Sequence, residues 1–238
     1  MLPAAASVSA SGDPAALCEA AALRAAARHD VPVPVMLAVA RVESGRAGAD
    51  GRVRPWPWAV NTGAQGHWPP TPDAALALAR ATQARGRDSF DLGCFQINHR
   101  WHGSRFASLE AMLHPQTNAD YAARLLARLK GRHGSWRAAV GAYHSATPAL
   151  AVRYLARFDR ALAAQSVEAA DPARAEAIRQ AAQRPEGPRL LMALQDLPAA
   201  PGSVLGAARS EARPVAAAPA AAGQGPVSMG GLALGVFR

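Results

Sequence analysis

The chain has 238 residues, half of them hydrophobic and only 5% aromatic, which is enough for one ordinary domain with additional material. Alanine supplies much of the apolar content, so the composition favours packed helices over sheets. The 26 Lys+Arg against 17 Asp+Glu give a net charge of +9, which attracts polyanions such as nucleic acid, acidic glycans or membrane surfaces. No recognised nucleic-acid motif accompanies this charge, and no stretch approaches the roughly 20 apolar residues that cross a bilayer.

Four predicted helices start in the same way, with a capping Asp or Thr followed by a proline at the first helical position. These pairs are Asp13-Pro14, Thr71-Pro72, Thr147-Pro148 and Asp171-Pro172. Helices are predicted over residues 14–29, 33–45, 72–85, 108–113, 116–130, 135–144 and 148–164. The turn signal Asn61-Thr62-Gly63 predicts a short irregular hairpin, and residues 88–103 are predicted to be loop with a short turn of helix.

The composition divides the chain into four parts. Residues 1–12 are either the remnant of a leader or a disordered start, because they end in small residues but lack a basic beginning and a long apolar middle. Residues 13–165 form the predicted domain, and residues 166–197 form a partly helical extension. Residues 198–238 are rich in Ala, Pro and Gly and are predicted to be a disordered tail. Before that tail, the amphipathic stretch 189–197 (RLLMALQDL) could dock on the domain, bind a partner or do neither.

The helix predicted over residues 33–45 is apolar on almost every side, which indicates a buried helix. Gly45 is predicted to end it in a left-handed conformation. Glu43 lies in the last turn, where burial and the negative end of the helix dipole both raise the pKa of a carboxyl group. An acid still protonated near neutral pH is suited to general acid catalysis. From the helix alone, pairing of Glu43 with Arg41 or Arg46, or exposure to solvent, remains equally open.

Three further groups follow Glu43 and Ser44 along the chain. They are Trp56, Trp58 and Asn61 in the hairpin, Gly93-Cys94-Phe95-Gln96-Ile97-Asn98 in a tight loop, and Ala142-Tyr143-His144 at a helix end. This order resembles the SLT-type lytic transglycosylases of the lysozyme-like superfamily, which show Glu-Ser, then Gly-Leu-Met-Gln, then Ala-Tyr-Asn. The resemblance covers about residues 15–160. It implies a mainly α, lysozyme-like helical domain with a small irregular β-hairpin, and the Pro-Trp-Pro-Trp hairpin resembles a compact subgroup.

The resemblance implies a role for each matching residue. Glu43 matches the catalytic acid/base, and the expected substrate-binding residues are Ser44, Trp58, Asn61, Gln96, Asn98, Tyr143 and His144. Structural roles stand beside these functional ones: a helix end for Ser44, a loop tie for Gln96, a core position for Tyr143 and hairpin anchoring for the tryptophans. His144 departs from the family pattern, which has Asn there, and Cys94 and Phe95 replace Leu and Met.

The spacing of the cysteines and histidines indicates whether a disulfide or a metal site is expected. An isolated pair such as Cys18 and Cys94 is most often two buried thiols, but in an exported protein it is more often a disulfide, and we expect one here. His99 and His102 are three residues apart, a spacing that can ligate a metal on a helix. Without a third ligand we interpret them as ordinary loop histidines and predict no metal site. The chain has no HExxH, GxSxG or P-loop motif.

The resemblance predicts a periplasmic, monomeric enzyme that needs no cofactor. It would cleave the β-1,4 bond between N-acetylmuramic acid and N-acetylglucosamine in peptidoglycan glycan strands and form a 1,6-anhydro product. A lysozyme-like muramidase is an alternative, with Asp91, ahead of Asp50 and Asp88, as its second carboxylate. An inactive glycan-binding assembly factor is another. Some members of the subgroup serve flagella or secretion machines, so a component of such a machine is a candidate partner of the tail.

Overall fold

The computed structural model describes residues 13–63, 65–168 and 171–183. They form a mainly helical molecule, as predicted, together with two small antiparallel sheets. The helices are α1 (Pro14–Arg28), α2 (Val33–Ser44), α3 (Pro72–Ala84), α4 (His99–His102), α5 (Leu109–Leu113), α6 (Pro115–His133), α7 (Trp136–His144), α8 (Pro148–Glu168) and α9 (Pro172–Ala182). The strands are β1 (Gly45–Ala47), β2 (Val53–Pro55), β3 (Val60–Asn61), β4 (Gly66–His67), β5 (Asp91–Leu92) and β6 (Ile97–Asn98). The predicted leader or disordered start, the amphipathic stretch 189–197 and the predicted tail 198–238 lie outside the described residues.

Local capping explains why several helices begin where the sequence predicts. The side chains of Asp13 and Thr71 accept hydrogen bonds from the backbone N–H groups of Ala15 (3.0 Å) and Ala74 (3.2 Å). Asp171 caps α9 in the same way, through the backbone N–H of Ala173. Each cap satisfies a backbone donor that has no partner inside its helix.

The β-structure is more extensive than the sequence indicates. β3 and β4 form the predicted hairpin, closed by a hydrogen bond from the backbone N–H of Thr62 to the carbonyl of Gln65 (3.0 Å). β5 and β6 then extend it to a four-stranded sheet of order β4-β3-β5-β6, within the region predicted to be loop. Strands of two residues leave no alternating pattern in a sequence, so the prediction missed them.

Gly45 ends α2, but not in the predicted conformation. Its φ is −55° and its ψ is 129°, so the chain passes directly into the extended strand β1. A Cβ at this position would lie 2.3 Å from the carbonyl oxygen of Arg41 and 2.6 Å from Cγ1 of Val53. Glycine is therefore required, because a side chain would meet both the α2 backbone one turn earlier and Val53 of the paired strand β2. The prediction of a left-handed conformation was wrong.

The core forms around α2. This helix packs against α1 and α8, while α6 packs against α1 and α7. Met36 and Val39 of α2 are fully buried in one cluster with Phe90, Leu92 and Phe95. Cys18 of α1 is joined to Cys94 by a disulfide, with a Cα–Cα distance of 5.6 Å, which links α1 to the loop between β5 and β6. In the described part of the chain, no helix combines the length and apolar character that crossing a membrane requires.

Candidate active site

Glu43 lies in the last turn of α2 with only 3% of its surface exposed. Burial raises the pKa of its carboxyl group to about 7, because the charged form loses its hydration. The Tyr154 hydroxyl and the positive charge of Arg157 act in the opposite direction but do not cancel the effect of burial. Glu43 is therefore partly protonated at neutral pH, the state in which a carboxyl group can donate a proton.

Tyr154 and Arg157 lie one turn apart on α8, and no sequence motif marks either of them. Tyr154 is 1% exposed, and its ring stacks on His144, with centroids 4.3 Å apart and planes at 8°. The Tyr154 hydroxyl lowers the pKa of Glu43, yet neither it nor Oε1 of Glu43 has a hydrogen-bond partner of normal distance and angle within the described residues. We therefore regard the Tyr154–Glu43 pair as a polar contact. It leaves an oxygen of the acid without a fixed partner.

His144 occupies the position where the resembling family has Asn. It is 4% exposed, and burial together with the nearby charge of Arg157 lowers its pKa to about 4. The imidazole is therefore neutral at physiological pH and packs as an aromatic ring on Tyr154. Its predicted contact with substrate stays a prediction.

Asp91 is the second buried carboxylate near Glu43, and two asparagines bind it. Asn98 Nδ2 donates to Oδ1 of Asp91 (2.8 Å), and Asn61 Nδ2 donates to Oδ2 (3.2 Å). Burial raises the pKa of Asp91 well above its usual value, and the charge of Glu43 raises it further, against the two amide donors. Asn61 and Asn98, both predicted to bind substrate, thus hold Asp91 in the sheet, since their residues pair with it across β3–β5 and β5–β6.

The loop between β5 and β6 has a strained, tightly hydrogen-bonded backbone. Gly93 has φ +81°, and Gln96 has φ +47°, which is uncommon for a residue other than glycine. The Gln96 amide donates to the carbonyls of Ala59 (3.1 Å) and Gly93 (3.0 Å). The loop also receives Asn118 of α6, whose side chain accepts from the Phe95 N–H (2.9 Å). Asn118 is fully buried, and no motif in the sequence pointed to it.

Ser44 and Tyr143 attach this loop to the helices on either side. The Ser44 hydroxyl donates to the carbonyl of Cys94 (2.8 Å) and also lies 3.1 Å from the carbonyl of Ala40. The Tyr143 hydroxyl donates to the carbonyl of Phe95 (2.8 Å). Because Ser44 follows Glu43 directly, these hydrogen bonds fix the loop against the turn that carries the acid. The predicted substrate contacts of Ser44, Gln96 and Tyr143 remain predictions.

The tryptophans fall into two environments. Trp68 Nε1 donates to the carbonyl of Ser44 (3.1 Å), and the Trp56 backbone N–H donates to the Ser44 hydroxyl (3.2 Å), so both lie beside the end of α2. The guanidinium of Arg46 lies 4.4 Å from the ring centroid of Trp56. Trp58 contacts the edge of Trp56, with centroids 5.5 Å apart, and lines a groove that runs between α1, α3 and α5.

The two histidines considered as metal ligands have other contacts. His99 stacks on Phe90 with centroids 4.6 Å apart, and His102 is hydrogen-bonded through Nδ1 to the hydroxyl of Tyr121 (2.7 Å). Among the described residues, no group of three or more His, Cys, Asp or Glu side chains is arranged to hold a metal ion.

The arrangement supplies a buried proton donor at a helix end, beside a fixed loop and a cluster of aromatic side chains. A family model described as the transglycosylase SLT domain matches residues 20–153, which is more than half of the chain. No curated protein and no solved structure matches the chain significantly. The matched range includes Glu43, the Gly93–Gln96 loop and Tyr143, the residues on which the sequence-based resemblance rests. The chain belongs to the transglycosylase SLT domain family.

Proposed function

We propose that this protein is a lytic transglycosylase that cleaves the β-1,4 bond between N-acetylmuramic acid and N-acetylglucosamine and leaves a 1,6-anhydro end. Membership of the SLT domain family supports glycan cleavage of this type on peptidoglycan. The observation that carries the proposal is Glu43, whose pKa of about 7 allows it to be protonated before the reaction and ionised after it.

In the proposed reaction, the Glu43 carboxyl group protonates the oxygen of the leaving sugar while an oxocarbenium-like state develops. The ionised carboxylate then removes the proton from the C6 hydroxyl of the same muramic acid, and that oxygen attacks C1. The hydroxyl belongs to the reacting sugar, so it needs no separate binding step. One carboxyl group with a pKa near neutrality therefore performs both proton transfers, and no cofactor takes part.

The environment of Asp91 supports this mechanism over hydrolysis. A retaining or inverting hydrolase needs a second carboxylate that is free to attack C1 or to activate water. Both oxygens of Asp91 accept hydrogen bonds from asparagine amides, which hold the carboxylate in the sheet. Asp91 is nevertheless close enough for Glu43 to affect its pKa, so a muramidase that uses Asp91 is the alternative that the experiment must distinguish.

The proposed substrate also suggests which residues bind it, where the enzyme acts and what it associates with. Ser44, Trp58, Asn61, Gln96, Asn98, Tyr143 and His144 are the proposed substrate-binding residues, and the basic chain would attract the anionic peptide-bearing glycan. Family membership implies action outside the cytoplasm, and we propose the periplasm. We also propose that the enzyme is monomeric and that the tail 198–238 is available to a flagellar or secretion-system component.

The source of the oxygen at C1 tests the proposal. Sacculi are digested in oxygen-18 water, and the fragments are examined by mass spectrometry, with Glu43→Gln as the matched control. Transglycosylation predicts 1,6-anhydro ends that contain no heavy oxygen and are absent from the control. Reducing ends that carry the label would show hydrolysis and would make Asp91 the next residue to substitute. Intact binding of sacculi without cleavage would indicate a glycan-binding assembly factor.

A further inference from the structure

Arg157 on α8 places a positive charge beside Glu43, and the proton transfers proposed above do not use it. This charge lowers the pKa of Glu43 and of His144, so Arg157 lies close to both. Its guanidinium lies 5.5 Å from the ring centroid of Tyr154, which stacks in turn on His144. The cation is thus held against a pair of stacked rings at the site of the acid.

The guanidinium of Arg157 has a donor that the described residues leave unused. Its Nε is buried without a hydrogen-bond partner, and Arg157 forms no ion pair with Glu43 or with any other acid in the part of the chain that the structure describes. Asp159, the nearest acid along α8, is paired with Arg137 instead (2.9 Å). A buried donor without an acceptor is costly, so this arrangement favours a ligand that supplies an oxygen.

Arg157 also connects the buried acid with the protein surface. Glu43 and Tyr154 are buried, whereas Arg157 is half-buried. Arg153 and Arg160, one turn before and one turn after it on α8, are exposed and likewise form no ion pair among the described residues. The surface that leads away from the acid along α8 is therefore basic and would attract an anionic group.

The proposed substrate carries a suitable oxygen close to its reacting carbon. N-acetylmuramic acid differs from N-acetylglucosamine by the lactyl group on its C3 oxygen, and the peptide stem is attached to that group. C3 belongs to the same sugar ring as C1, where Glu43 would act, so a donor beside Glu43 is well placed to meet the lactyl carbonyl or carboxylate. A guanidinium presents planar N–H donors that suit either acceptor.

We propose that Arg157 binds the lactyl group of the muramic acid that reacts at Glu43, and so distinguishes this sugar from N-acetylglucosamine. The proposal rests on the function proposed above, because it concerns the same sugar at the same acid. A glycan without the lactyl group leaves the buried Nε of Arg157 unpaired. Sites that hydrogen-bond a substrate group discriminate strongly against analogues that lack it, for this reason.

Binding to a chain that cannot transfer the proton tests this proposal. The full chain carrying Glu43→Gln is titrated by calorimetry with two tetrasaccharides, one of alternating N-acetylglucosamine and N-acetylmuramic acid, and one of N-acetylglucosamine alone. We expect the muramic acid glycan to bind at least about tenfold more tightly. Adding Arg157→Gln should weaken its binding at least about tenfold and change that of the other glycan by less than about twofold.

Two further variants in the same Glu43→Gln chain complete the test. Arg132→Gln is the matched control, because it removes an exposed charge near the end of α6 that also has no ion pair within the described residues. It should change neither affinity. Arg157→Lys keeps the charge beside Tyr154 but loses the planar donors, so it should weaken binding of the muramic acid glycan by a smaller factor than Arg157→Gln. Circular dichroism confirms that each variant is folded.

Three results would overturn the proposal. The Glu43→Gln chain could bind the two tetrasaccharides equally, or Arg157→Gln could weaken both by the same factor, as an arginine that acts only on the fold or on the charge of the site would do. The third is a loss of affinity confined to glycans that carry peptide stems, which would assign Arg157 to the peptide. Hydrolysis in labelled water would overturn the proposed mechanism but leave the preference for muramic acid unchanged.

Discussion

Glu43 in α2 and Asp91 in β5 are two acids with the same 3% exposure. Both have raised pKa values because burial removes water from the charged form. Their hydrogen-bonding environments differ. Asp91 receives an amide donor on each oxygen, whereas Oε1 of Glu43 has no partner of normal geometry in the described structure.

This difference in hydrogen bonding indicates how one buried acid can be suited to proton transfer while another stabilises the sheet. A carboxylate with an amide donor on each oxygen is held in one position by those hydrogen bonds, although its remaining lone pairs can still accept a proton. A carboxyl group with an unpartnered oxygen is less constrained and can accept a hydrogen bond from a substrate, at the expense of the fold's stability. Burial alone therefore does not separate Glu43 from Asp91, and their hydrogen-bond partners do.

The largest expected effect comes from replacing each acid by its amide, which keeps the shape of the side chain but cannot transfer a proton. Glu43→Gln should reduce cleavage of sacculi about 100- to 10,000-fold, because it cannot donate a proton. Asp91→Asn should reduce cleavage much less, because Asp91 acts through the position of the sheet. Release of soluble fragments measures both rates, and circular dichroism confirms folding. Equal loss of activity in two folded variants would contradict the distinction.

The same Glu43→Gln variant should be more stable than the wild type at high pH. The pKa of Glu43 is about 7 in the folded protein and near 4.5 in the unfolded chain, so the native state binds more protons between these values. The wild type therefore loses stability as pH rises from about 4.5 to 7, by up to roughly 3 kcal/mol. Glutamine does not titrate, so the difference should grow across this window and then level off.

Urea unfolding at pH 4, 6 and 8 measures this difference. A variant with the same stability as the wild type at pH 8 would show that Glu43 is not strained by burial.

For Asp91→Asn, relief from ionising a second buried acid is opposed by a lost hydrogen bond, so we expect it to be the less stable of the two variants at pH 8. Asparagine offers one carbonyl acceptor and an amide donor, so either Asn61 or Asn98 would face a donor where it now finds an acceptor. Leaving one buried donor unsatisfied should cost about 1–3 kcal/mol of unfolding free energy. Urea unfolding at pH 8 alongside Glu43→Gln gives the comparison directly. If the Asn variant were the more stable of the two, the hydrogen bonds to Asp91 would not stabilise the sheet.

The smallest effect should come from Tyr154→Phe. The Tyr154 hydroxyl lowers the pKa of Glu43, so its removal should raise that pKa and move the alkaline limb of the pH–activity profile upward, by less than about one pH unit. Tyr143→Phe is the matched control, because its hydroxyl donates to the carbonyl of Phe95 and should change the rate without moving the limb. If the wild type and both variants had the same alkaline limb in the pH–activity profile, the Tyr154 hydroxyl would not affect the pKa of Glu43.

Local signals in the sequence predicted the helices and the burial of Glu43 well. Asp13 and Thr71 cap helices through residues two or three positions away, so their effect can be read from the sequence alone. Glu43 was identified as a polar residue in an apolar helix, and its burial follows from the same pattern. By contrast, Gly45 is needed because a Cβ there would meet the carbonyl of Arg41 and, across a hairpin, the side chain of Val53, and the second contact depends on the fold.

Tertiary contacts also explain what the sequence could not assign at the site. Asn61 and Asn98 are predicted to bind substrate, and their contact with Asp91 was not foreseen, because their amides converge on it only where β3, β5 and β6 lie side by side. Tyr154 carries no motif of its own, and it reaches Glu43 because α8 packs on α2. A polar residue on the buried face of the helix after the Ala-Tyr-His group is the sequence signal that could have identified it.

Direct titration of Glu43 tests most closely the claim that it is the acid. The protein is labelled with carbon-13 at the glutamate side-chain carboxyl groups, and Glu43→Gln identifies the Glu43 resonance in the NMR spectrum. We predict a titration midpoint near pH 7 for this group, set by burial beside Tyr154 and Arg157. A midpoint near the ordinary value of about 4.5 would mean that Glu43 is ionised at neutral pH and would contradict its role as the proton donor.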